Sequence, residues 1–386
     1  MKSQLSEHNI FTISQYLPNC SDYLSFMSIN KKYRTVFDKH TINSFPLTHE
    51  SRKYFPFLTV QKLFTQFDFR FHDKKIKSHL LVYPVTYKQF KNEETNGNEC
   101  KIVKYTKSDT KEYGSTIPSN ISILTENLFD GSVSLKTLQL PSSIKQIERE
   151  SFAHCTSLSE ITLNDSLKSI GYKSFFKNNS LKSISFPKSL TFVDSLAFSD
   201  CGISSIEFSE SNLHLGSFVF ANCQSLTKVV LPQTITSLEG TFNGCVSLQE
   251  VELPIHLKEI KGQTFDGCVS LTSIQIPSTV TWIGYKAFAN CSIKELVLPK
   301  KLKTVGSFCF EHCEELTKIV LGNSFEFIPS ECFAFCKKLK DINVTPEIKM
   351  KEGCFYHCEE LHDNSVIPAF CFTLTVGYKR RLERME

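Results

Sequence analysis

Thiols and imidazoles bind soft metals and carry redox and nucleophilic chemistry, and this 386-residue chain holds 15 cysteines and 11 histidines. Three segments concentrate them: Cys309 and Cys313 with His312, Cys332 with Cys336, and Cys354 and Cys358 with His357. A zinc site needs such ligands to converge on one point, and a secreted disulfide framework needs them to pair. Their places in the chain argue for neither. Cys155, Cys201, Cys223, Cys245, Cys268, Cys291, Cys313, Cys336 and Cys358 recur at steps of 22 or 23 residues, one step being doubled, and Ser132 and Asn178 fill the same slot in two further copies. A column that accepts Ser and Asn wants a small side chain with modest hydrogen-bonding ability in a tight turn, which a buried free Cys supplies. The odd total and the in-register spacing argue against disulfides. No Walker-type loop, G-x-G-x-x-G, H-E-x-x-H or G-x-S-x-G is present, and the histidines scatter, with His154, His312 and His357 in the repeat turn. These observations point to a chain that is not an enzyme and that carries no cofactor or metal.

A phenylalanine stands three residues before each slot and must position it. Aromatic usage is biased, with 33 Phe against 12 Tyr and one Trp. Phe129, Phe152, Phe175, Phe198, Phe220, Phe242, Phe265, Phe288, Phe310, Phe333 and Phe355 follow at intervals of 22 or 23 residues, so one unit is present in eleven copies. After the slot comes L-x-x-I-x-L, often closed by Pro, as in Leu226, Val229, Leu231 and Pro232 or Leu248, Val251, Leu253 and Pro254. This segment predicts a short strand stopped by a residue that cannot donate to a ladder. A second apolar pair precedes each Phe, such as Ile144 and Ile147 before Phe152. One coil cannot close a core, so the coils must stack.

The period and the L-x-x-L-x-L core match leucine-rich repeats, and the unit resembles the BspA-like type. The stretch IQIPSTVTWIGYKAFANC from Ile274 to Cys291 follows that consensus nearly throughout, and the resemblance extends from residue 121 to about 361. It implies a right-handed β-solenoid with one short parallel strand per coil. It also implies a protein-interaction or adhesion scaffold, since relatives include surface proteins, some implicated in attachment to host matrix.

A solenoid of this kind works through its surface. In L-x-x-I-x-L the residues flanking the central apolar position face outward. The first such column runs from Thr137 and Glu160 to Lys318 and Asp341, and the second from Gln139 to Asn343. They are mostly small and polar, with several carboxylates and three valines. That mixture suits a protein partner rather than nucleic acid, which would need Lys and Arg there. The predicted recognition face centres on Glu207, Val230, Glu252, Gln275, Val297 and Val320.

Ahead of the repeats the balance changes, with 18 basic and 11 acidic residues (+7) in 1–118 against 26 and 29 (−3) in 119–386. The net +4 is too small to draw the chain to nucleic acid or an acidic membrane by long-range field, and no basic patch with interleaved aromatics stands out. The division expected is a helical N-terminal cap over 1–50, irregular leading repeats or a strand-rich linker over 51–118, eleven repeats over 119–361, and a C-terminal cap with a basic tail over 362–386. Pro18 should break the first helical run and Ser21-Asp22 should cap the next. KNEETNGNE at 91–99 reads as an exposed polar loop and the Lys-rich HDKKIKSH at 72–79 as a solvated turn. The segment from Ile10 to Val36 resembles the F-box, matching at Tyr16, Leu17, Asp22, Leu24, Asn30, Lys31 and Tyr33 but lacking the opening Leu-Pro. That resemblance implies the alternative of an intracellular substrate adaptor of a ubiquitin ligase. No secretory signal or stretch of about 20 apolar residues is visible, so a cytoplasmic location is expected, with a cell-surface one implied by the first resemblance.

Overall fold

The structure is a computed structural model that describes residues 6–29, 33, 38–361 and 366–373. The tail of the C-terminal segment, the first five residues and two F-box-like positions, Asn30 and Lys31, lie outside the described residues. The chain divides into two compact units, 1–123 and 124–386.

The first unit opens with helices Glu7–Ser14 and Cys20–Ile29. Ser6 starts the first by accepting the Asn9 amide, and Asn19 starts the second by accepting the Asp22 amide at 2.9 Å. The second cap is therefore Asn19, directly after Pro18, and not Ser21-Asp22, which lie inside the first turn. Tyr23 on this helix is fully buried among Phe45, Phe55, Leu58 and Phe71, its ring 5.1 Å from that of Phe55. Strands Val60–Leu63, Ser78–Thr86 and Glu99–Tyr105 then pair in parallel, one after another. Between the last two, Tyr87–Thr95 forms a helix, so the first half of the expected polar loop at 91–99 is helical. Its cause is a capping box, Thr86 with Gln89, together with the bond from Arg70 to Glu93 at 2.8 Å. A second capping box, Thr106 with Asp109, starts helix Lys107–Tyr113.

In the second unit each repeat is one coil, and most coils carry two short strands. The L-x-x-I-x-L segments form Thr137–Gln139, Glu160–Thr162, Ser183–Phe186, Ser205–Phe208, Lys228–Val230, Glu250–Glu252, Glu295–Val297, Lys318–Val320 and Asp341–Ile342. The second apolar pairs form two-residue strands such as Gln146–Ile147 and Ser169–Ile170. Pairing is parallel and one coil out of step, Leu138 opposite Ile161 and Ile147 opposite Ile170. This is a β-solenoid.

Its core is a stack of rings. From Phe129 to Phe355, each phenylalanine of the column lies over the next with centroids 5.0 to 6.1 Å apart and planes within 19°. Phe152, Phe175, Phe198, Phe220, Phe242, Phe265, Phe288, Phe310, Phe333 and Phe355 are all buried. The nine slot cysteines form a second column beside it, and every one donates its thiol proton to a Phe carbonyl of the preceding coil. The Sγ–O distance is 3.1 Å from Cys155 to Phe129, 3.0 Å from Cys201 to Phe175 and 3.2 Å from Cys268 to Phe242. The turn around each Phe is held by two residues of left-handed backbone, two before and two after it, as at Glu150 and His154 around Phe152. His312 and His357 occupy the same turn place as His154.

Candidate functional site: the outward strand face

The face predicted from the alternation of the strand is built as a row of side chains standing off parallel segments. Val229, Val251, Leu296 and Ile319 point into the core, so their neighbours on either side point out. Val230 is 47% and Val297 66% exposed, and Glu207, Glu252 and Gln275 are exposed as well. Val320 departs from the expectation, being half-buried. In the next coil Asn343, predicted to stand outward, instead turns its amide onto the backbone of Leu321, accepting its N–H at 2.6 Å and donating to its carbonyl at 3.1 Å.

Ladder pairing brings some of the six together and keeps others apart. Val230 lies opposite Glu252, and Val297 opposite Val320. Glu207 lies opposite Ser185, in a pair of strands separate from that of Val230. Gln275 sits on a segment, Ser273–Ile276, that joins no ladder, so the sheet is interrupted between Glu250–Glu252 and Glu295–Val297. At that interruption is a depression of about 490 Å³ whose lining includes Glu250, Glu252, Ile255, Ile274 and Gln275. Ile255, 64% exposed, belongs to this surface and was missed because it follows Pro254, outside the alternating strand. The only sequence sign of it is a large apolar residue at a turn position that other coils give to polar ones, such as Ser142 and Ser278.

Charge on the face is cross-linked between coils. Lys228 lies 2.8 Å from Glu250 and 3.7 Å from Glu252, and Lys318 lies 2.6 Å from Asp341. These exposed pairs contribute little to stability, and they set carboxylates and ammonium groups beside the valines.

The thiols face the other way, into the coil. Burial pushes the Cys155 thiol up to about 11 and that of Cys313 up to about 12, and it also raises Cys201, Cys223, Cys245, Cys291 and Cys336 well above the ordinary thiol value. They are held as S–H donors, the wrong protonation state for a metal ligand or a nucleophile. Cys309, Cys332 and Cys354, one residue before their Phe, are likewise fully buried with thiols pushed up by their surroundings. Among the described residues no three His, Cys, Asp or Glu side chains are grouped as a metal ion requires, and no helix is long and apolar enough to cross a membrane.

Comparison with known proteins agrees with this architecture. A model of the BspA-type leucine-rich repeat region matches residues 102–227 and 238–362. A leucine-rich repeat protein from Bacteroides ovatus is 25% identical, with a TM-score of 0.56 over 62% of this chain and 69% of that one. The leucine-rich repeat protein of T. pallidum is 26% identical over 53% of this chain and 82% of that chain, with a TM-score of 0.39, and the pneumococcal vaccine antigen PcpA is 18% identical over 83% and 72%, with a TM-score of 0.40. Among curated proteins nothing matches. The F-box-like segment precedes every residue that the family model matches. With about two-thirds of its length matched by that model, the chain belongs to the BspA-type leucine-rich repeat family.

Proposed function

We propose that this protein is a non-enzymatic scaffold that captures a protein partner on the outward strand face, through Glu207, Val230, Glu252, Gln275, Val297 and Val320. One observation carries the reading: exposed valines at 47% and 66% stand among charged side chains on a surface whose every second residue is committed to the core. Apolar anchors ringed by polar groups are the usual composition of a protein interface. The depression at Glu252, Ile255 and Gln275 gives such a partner a place to insert a side chain.

The test is capture by the purified full chain, with partners identified by mass spectrometry, compared with Val230→Lys/Val297→Lys. Both positions are exposed, so the double variant keeps its circular dichroism spectrum. Loss of the captured partner supports the face, and undiminished capture rejects it. Adhesion at a cell surface is the form of this role that the family suggests, and antibody labelling of intact against permeabilised cells separates it from a scaffold inside the cell.

A further inference from the structure

The first unit carries a surface that the strand face does not involve. Thr65–Asp68 is a tight turn, with Asp68 accepting the Phe64 amide at 2.7 Å and the Thr65 hydroxyl at 2.6 Å. The brace holds Phe67 out at the tip, 87% exposed. Phe69, 48% exposed, packs on Phe71 with ring centroids 4.8 Å apart, and Arg52 lies over the ring of Phe71. From Arg52 the surface runs on through its ion pair with Asp73, 2.7 Å long, into a depression lined also by Lys53, Pro56, Lys74 and Lys75. Phe57, 57% exposed, follows Pro56. A neighbouring depression shares Asp73 and adds His72 and Lys77.

Charge here is one-sided in a particular way. Asp73 is engaged by Arg52, Asp68 by its own turn, and Glu93 by Arg70 and Asn98. Lys53, Lys74, Lys75 and Lys77 are exposed, and among the described residues none of them pairs with a carboxylate. Glu50, an exposed carboxylate, stands at the start of the single turn Ser51–Tyr54, three residues before Lys53. The sequence showed no basic patch with interleaved aromatics; folding assembles one from residues 52–57 and 67–77.

We propose that this surface docks the protein onto an anionic lipid bilayer, the four lysines lying in the headgroup layer and Phe67, with Phe57 and Phe69, entering the interface. Lysine supplies diffuse positive charge to such a layer, whereas both arginines, whose planar forks suit phosphates of nucleic acid, are already taken by carboxylates. A sulfated polysaccharide or a nucleic-acid duplex offers no apolar medium to a benzyl group held out on a tip, a single strand offers only a base to stack on it, and a bilayer offers all three rings transfer from water. Charge and apolar insertion together are the two signals that stable peripheral binding takes.

The experiment is co-sedimentation of the full chain with vesicles of phosphatidylcholine alone or with phosphatidylserine, at low and physiological salt. Binding to the anionic vesicles that weakens steeply with salt is expected. Each lysine near the surface is worth about fivefold, so Lys74→Gln/Lys75→Gln/Lys77→Gln should bind roughly a hundredfold more weakly. Phe67→Ser should bind roughly tenfold more weakly with an unchanged salt dependence. All four positions are exposed, and unchanged circular dichroism checks that the fold is retained. No binding to anionic vesicles, equal binding to neutral ones, or an unaffected Phe67→Ser variant overturns the proposal; capture of heparin or RNA without vesicles would make the surface a polyanion site instead.

Discussion

At the scale of single residues, the slot that looked like a source of chemistry is a donor site. A thiol there meets the carbonyl of the preceding coil's Phe at about 3 Å, which explains why Cys recurs, whereas Ser132 in the first coil shares a hydrogen bond with Ser134 at 3.3 Å. Asn178 is the exception that tests this account. It is fully buried, and among the described residues neither its amide nitrogen nor its oxygen finds a partner. A buried polar group left unbonded costs about 1–3 kcal/mol. Asn178→Cys, which places a donor opposite the Phe152 carbonyl, should therefore raise stability by about 1–2 kcal/mol, read as a higher thermal midpoint; a fall would show that the slot selects on something other than the thiol bond. Phe242→Ala empties a place in the ring stack and should cost about 3–5 kcal/mol by chemical denaturation.

At the scale of the element, coils lie so close that some positions admit no side chain. A methyl group added at Gly306 would fall 2.3 Å from the Tyr285 amide nitrogen and 2.4 Å from the Gly284 carbonyl carbon, both backbone atoms that cannot step aside. Gly306→Ala should destabilise by about 1–3 kcal/mol, with faster hydrogen exchange confined to the coils on either side. Much of the coil was legible: the Phe interval marks the stack, and the L-x-x-I-x-L alternation predicts which side chains leave it. The left-handed backbone beside each Phe was not, because Lys173, Leu196, Phe218 and His312 stand there instead of the glycines that usually announce that conformation. Nor was the helix at Tyr87–Thr95, where polar residues suggest a loop although Thr86 and Gln89 carry the capping-box spacing. Of the recognition face, exposure at Val230 and Val297 follows from alternation, while the half-burial of Val320 and the break at Ser273–Ile276 depend on neighbouring coils that a single repeat does not encode.

At the scale of the whole molecule, the cysteines become reporters. Only Cys20 and Cys100 are half-buried, and the other thirteen of the 15 are buried. Under native conditions a thiol reagent should modify those two first and the thirteen only as coils open, so mass spectrometry of partly labelled chains would map local opening. Rapid uniform labelling of all 15 would mean that the coils are not closed. In a stack where each coil touches chiefly its neighbours, the end coils should label ahead of the centre.

All nine thiol bonds run the same way, from each coil to the one before it, and none reaches further. Every Cys-bearing turn thus brings its own fastening and presents an identical carbonyl for whatever turn comes after. Splicing in one more 22- or 23-residue unit leaves all existing fastenings as they were and lengthens the rod by about 4.8 Å. Reach is therefore inherited in whole steps, and a lineage can adjust it by duplicating or deleting units without redesigning the interior.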